Sequence, residues 1–160
     1  MHKKATILVI VAVLIIAAGL VCMTPRFTHV ENTALQATKL TNRGEILGTY
    51  EIVLRGSRQD YLFGDPVLEL SVAPFDILRD FVMETEIGTA TAGEICYVLY
   101  SATNTATDDA DVIRIYFSPD MDRWLFLNDT DLTCYVASVS GAYSAQNLMD
   151  YFGSVIPDNG

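Results

Sequence analysis

The sequence predicts an α+β protein: an N-terminal transmembrane helix, then one small domain whose mainly antiparallel sheet, ending in a four-strand meander, is packed by two helices. Three observations predict it. Residues 5–23 carry no charge. Four apolar runs, at 94–103, 111–117, 123–127 and 132–137, are separated by turn-rich breaks and read as a meander. Two stretches, 74–84 and 145–152, place apolar residues at helical spacing.

The uncharged run, 5–23, spans about 28 Å as a helix, close to the roughly 30 Å hydrocarbon core of a bilayer. Lys3 and Lys4 hold residues 1–4 on the cytoplasmic side, which sends everything after Arg26 outside. An uncleaved, single-pass anchor in the cell membrane fits the length best, with the lipid bilayer as partner of 5–23. The alternative is a secretory signal cut after Ala17-Ala18-Gly19, leaving a secreted protein. A lipid attached through Cys22 fits poorly, because Val21 is too bulky for the position before a lipidated cysteine.

Acidic residues begin only after residue 30. From Pro25 onward there are eight Arg and Lys against twenty Asp and Glu, a balance of −12. Such a surface repels nucleic acid, so no nucleic-acid partner is expected, and its plainest role is solubility. The length outside the anchor is enough for one hydrophobic core.

Residues 24–46 are rich in Thr and Asn and read as a stalk, with a break at Asn42-Arg43-Gly44. The extracytoplasmic domain is then 47–157. It opens with a strand over 48–55, where Tyr50, Ile52 and Leu54 alternate with Glu51, Val53 and Arg55, followed by a turn at 56–59. A second strand is expected over 67–72. Pro74 opens a helix to about 84, carried by Phe75, Leu78 and Val82. After the meander, Ser144 caps a last helix over 145–152, stopped near Gly153.

With the shortest turns, Phe117 pairs with Arg123 and Leu127 with Leu132. Tyr116, Trp124 and Tyr135 then form an aromatic row on one face, extended by Arg114 beside Phe126, while Leu99, Ile115, Leu125 and Cys134 share the other. The row is a candidate ligand-binding surface for a glycan or peptide. The plainer reading is a second buried face under a helix, since a sheet apolar on both sides is normally covered on both. Cys96 and Cys134 fall on opposite faces with two strands between them, which disfavours a disulfide.

Alternate turns of a meander share an edge, so Asp108, Asp109 and Asp111 meet Asp129 and Asp131. Five carboxylates at one rim could begin a Ca²⁺ site, although ordinary turn aspartates explain them as well. No other cofactor is implied. Asn128-Asp129-Thr130 is a glycosylation sequon. His2 and His29 are the only histidines and Lys39 the only lysine beyond the anchor, so no Ser-His, Cys-His or Ser-Lys set lies inside the expected domain. The sequence therefore points away from an enzyme and towards a binding or sensing module of the cell envelope, contacting an extracellular ligand or another envelope protein. The alternatives are a small carboxylate-dependent envelope hydrolase and a secreted structural protein.

Overall fold

Thr24 and Pro25 end the first helix: the Thr24 hydroxyl turns back onto the Leu20 carbonyl at 2.8 Å, and Pro25 brings no amide to continue the ladder. The computed structural model describes residues 2–72, 81–90, 94–103 and 110–157. Helix α1 (His2–Met23) has 22 residues, and its apolar side chains are exposed around the whole circumference, Leu8 to 74% and Val21 to 70%. Its side chains are described from Ile7 onward, a stretch of about 26 Å against the roughly 30 Å of a hydrocarbon core. Among the described residues no helix is long and apolar enough to cross a membrane.

The remainder is a small sheet-dominated domain. Its strands are β1 (Arg26–Leu40), β2 (Ile46–Asp60), β3 (Val67–Val72), β4 (Phe81–Glu86), β5 (Gly88–Ala90), β6 (Ile95–Thr103), β7 (Ala110–Phe117), β8 (Arg123–Asn128) and β9 (Cys134–Ser138). Neighbours run antiparallel in the order β4-β3-β2-β1-β9-β8-β7-β6-β5. The two ends of that order are joined in the chain through Ile87 alone, whose amide donates to the Pro66 carbonyl at 2.9 Å. The run 81–90 thus pairs with β3 through its first part and with β6 through its last, and the sheet closes on itself as an up-and-down barrel.

Side-chain alternation then sorts each strand into an inner and an outer set. The inner set includes Leu35, Ala37, Ile52, Leu54, Leu70, Val98, Ile115, Phe117, Trp124, Phe126 and Tyr135 in one continuous core. Opposite walls touch across it. A Cβ on Gly56 of β2 would lie 2.9 Å from the Met121 side chain of the β7–β8 turn, so glycine makes room for that methionine. The outer set of β7–β9, with Tyr116, Leu125, Leu127, Cys134 and Val136, is covered by helix α2 (Ala145–Phe152) through Leu148, Met149 and Phe152. Ser144 caps α2 as its sequence predicts, its hydroxyl accepting the Asn147 amide and its own amide donating to the Asn147 side-chain oxygen.

Strand β3 and helix α2 stand where the sequence places them, and the four meander strands lie within two residues of their expected bounds. Four expectations are corrected. The stalk at 24–46 is the strand β1, so the domain begins at Arg26; Val30 faces Gly56 and Thr33 faces Leu54, and this bulge hides the alternation. The turn at 56–59 is strand, because β2 runs on to Asp60. The helix expected over 74–84 falls partly outside the described residues, and its described end, from Phe81, is the strand β4. The meander register moves by one residue at β7–β8, where Phe117 pairs with Trp124 and Tyr116 with Leu125, and by two at β8–β9, where Leu127 pairs with Cys134 and Phe126 with Tyr135. The hairpin loops contain Met121 (φ 59°) and Leu132 (φ 57°), left-handed residues that add positions the shortest turns omit.

Candidate functional site

The register of β1, β2 and β3 lays their outward side chains in rows. Phe27 faces Gln59, His29 faces Ser57, and Ser57 in turn faces Glu69; one step further, Arg55 faces Ser71. The β1 bulge bends this wall, and the concave surface is a cleft of about 620 Å³ lined by these residues and Glu31. Phe27 and His29 stack at its edge, ring centroids 5.5 Å apart and planes within 7°. The size falls in the usual range for small-molecule sites, and the lining offers an aromatic surface with both hydrogen-bond donors and acceptors.

His29 therefore belongs to the folded domain and not to a stalk, and it sits beside a serine. The row His29–Ser57–Glu69 nevertheless lacks the order a nucleophile needs. The serine stands between histidine and carboxylate, no acid orients the imidazole, and no hydrogen bond joins the three. Glu31 and Glu69 are exposed, without the apolar enclosure in which a glycosidase keeps an acid protonated. The arrangement can hold a ligand; it does not assemble a catalytic set.

The residues singled out from sequence are dispersed. Trp124 and Tyr135 are fully buried inside the barrel, Trp124 stacked between Phe117 (5.0 Å) and Phe126 (6.1 Å) and donating its indole N–H to the Met121 carbonyl at 2.7 Å. Tyr116 is buried on the opposite surface under α2, and Arg114 lies on that outer surface, paired with Asp129 at 2.8 Å. The row is split by the one-residue shift in register and forms no platform.

Of the five aspartates, Asp108 and Asp109 lie outside the described residues, and Asp111 is in β7 with its side chain outside them. Asp129 is engaged by Arg114, and Asp131 accepts the Thr133 amide and hydroxyl at 2.9 and 2.8 Å, the bonds of an ordinary Asx turn. Among the described residues no three His, Cys, Asp or Glu side chains are grouped to hold a metal ion. Asn128 of the sequon is buried, and its amide oxygen accepts the Thr130 amide.

Two thiols are enclosed on opposite sides of the wall, Cys96 inside and Cys134 beneath α2, and both are free. Burial pushes the Cys96 thiol up, and the nearby Arg58 guanidinium, 3.3 Å from its sulfur, offsets this only in part. Burial pushes Cys134 up to about 11. Neither is a ready nucleophile. Arg58, whose charge is paired with Asp60 at 2.7 Å, also donates to the Pro119 carbonyl and ties β2 to the β7–β8 turn across the barrel.

Sequence reasoning missed the cleft because it placed His29 in a linker and Ser57 in a turn. The signal was present in the polar alternation Arg55, Ser57, Gln59 and again Glu69, Ser71. Compared with known protein families, curated proteins and solved structures, the chain matches none.

Proposed function

We propose that this chain is a membrane-anchored binding or sensing module of the cell envelope, with its N-terminus in the cytoplasm, residues 5–23 in the bilayer and the barrel outside. The observation that carries the reading is α1, a 22-residue helix whose apolar side chains from Ile7 onward are exposed on every side, joined through Thr24 and Pro25 to a closed barrel. The uncharged stretch proposed to cross, 5–23, measures about 28 Å as a helix, close to the roughly 30 Å of a hydrocarbon core. An apolar surface that wide is costly in water and is satisfied by lipid. Ligand binding belongs to the cleft on β1–β3, because the aromatic row is packed away and the cleft is concave, polar and open.

Location is tested with reporters fused after Gly160. Alkaline phosphatase should be active and a green fluorescent protein dark; a bright cytosolic signal overturns the reading. N-terminal sequencing that begins at Leu20 would replace the anchor by a cleaved leader. For the cleft, a photoreactive residue at Ser57 should give a cellular adduct that Arg55→Glu or Glu69→Lys abolishes. An adduct indifferent to both would remove the cleft as the binding surface.

A further inference from the structure

The barrel end nearest α1 carries apolar side chains that stand outside the core. Arg26 pairs with Asp60, so the loop 61–66 that follows β2 lies beside the start of β1. Within it Leu62 is 62% and Phe63 77% exposed, and Phe27, one residue into β1, is 53% exposed. Gly64, in the bend of this loop, takes φ 143°, a conformation that L side chains rarely adopt. Only Thr24 and Pro25 separate this end from Met23, the last residue of α1, and two residues reach at most about 7 Å. Wherever α1 ends in a bilayer, this loop is held at the headgroup level.

From this placement we propose that the β2–β3 loop is a second membrane contact, with Leu62 and Phe63 inserted into the lipid interface and Phe27 beside them. The inference rests on α1 being the anchor proposed above. Phe and Leu are side chains that enter the boundary between headgroups and acyl chains. Tethering by α1 makes the second contact intramolecular, so even a weak preference of this loop for lipid is expressed. The occupant is a zwitterionic surface: the only charge in the loop is Asp65, the flanking Arg26 balances it, and the strongly acidic barrel gains nothing from anionic headgroups. Docking fixes the barrel upright or tilted on the membrane and sets where the β1–β3 cleft, which begins at Phe27, stands above it.

The test uses the full chain reconstituted in phosphatidylcholine vesicles, with and without brominated acyl chains. Phe63→Trp should show a blue-shifted emission that is largely lost in brominated lipid, beyond the wild type, whose only tryptophan is enclosed in the barrel. Arg43→Trp, in the turn at the far end of the 15-residue β1 and so roughly 45 Å away, should keep its emission. If the Phe63→Trp chain is quenched no more than the Arg43→Trp chain while both resist alkaline carbonate extraction, the loop does not dock and the anchor stands. If carbonate releases the chain, the anchor reading fails and the docking falls with it. A Phe63→Trp chain insensitive to brominated lipid, yet cross-linked through this loop to a second copy, would show that a partner protomer covers the loop, which also overturns the proposal.

Discussion

Along β7, β8 and β9 both surfaces of the barrel wall are apolar, whereas the part of β1, β2 and β3 that forms the cleft is apolar inside and mainly polar outside. Tyr116, Leu125, Leu127, Cys134 and Val136 line the outside of the first region and are buried under α2. His29, Glu31, Arg55, Ser57, Glu69 and Ser71 line the outside of the second and stand at a cleft. Both regions feed the same inner core. The difference separates two tasks: the doubly apolar wall must be covered to be stable at all, while the singly apolar wall is stable uncovered and can vary its outer side chains for binding.

The contrast breaks most visibly at the inner core, which should be indifferent to what lies outside. Trp124→Ala removes the largest side chain of the interior, two ring stacks and the indole bond to Met121 that closes the β7–β8 hairpin. The expected loss is about 3–5 kcal/mol, in the range of large-to-small aromatic substitutions. Urea denaturation of the full chain in detergent micelles should show the midpoint falling steeply with little change of slope. A variant that folds as tightly as the parent would mean that Trp124 is not core, and would reopen the aromatic row as a surface.

The same contrast governs what could be read from sequence. Strand β3 and helix α2 were legible because Leu68, Leu70 and Val72 alternate cleanly and Ser144 is a recognisable N-cap. The doubly apolar strands gave continuous runs with clear breaks. Strand β1 was hidden by its own polar exterior and by a bulge that puts Val30 and Leu35 out of phase. Phe75, Leu78 and Val82 recur at helical spacing; Phe75 and Leu78 lie outside the described residues, and Val82 is in β4, where pairing with β3 and closure through Ile87 outweigh local pattern. Register was the least legible feature, since Met121 and Leu132 take left-handed conformations without the glycine that usually announces them. The cleft depends on that bulge and on β2 running to Asp60, so it could not be assembled from the sequence.

A smaller and pH-gated effect sharpens the covered side. Burial beneath α2 raises the Cys134 thiol from 9.0 to about 11. Between those values the folded thiol keeps its proton while the unfolded one loses it. The native state then binds more protons, and stability falls as pH rises. The contribution is fully present below pH 9 and is lost towards pH 11, with a size on the order of 2 kcal/mol. Denaturation midpoints measured from about pH 8 to 11 should decline more steeply for the parent than for Cys134→Ala, whose cavity costs the same at every pH. Parallel curves would mean that α2 leaves the thiol open to water.

The smallest effect belongs to the bare wall. His29→Ala, Ser57→Ala and Glu69→Gln each change an outward side chain that makes no hydrogen bond to the others, so each should shift stability by no more than about 0.5 kcal/mol. Even the triple change should leave the barrel folded, because its strands are held by the ladder to their neighbours and by the inner residues Val30, Gly56 and Leu70 behind them. A polar cross-strand row would otherwise be worth about 0.2–1 kcal/mol per pair. Equal melting of triple mutant and parent, together with loss of the cellular adduct when His29→Ala and Glu69→Gln are combined with the photoreactive residue at position 57, would assign the row to binding. A marked drop in melting would show instead that these side chains hold the bulge in shape, and that the open wall is as structurally constrained as the covered one.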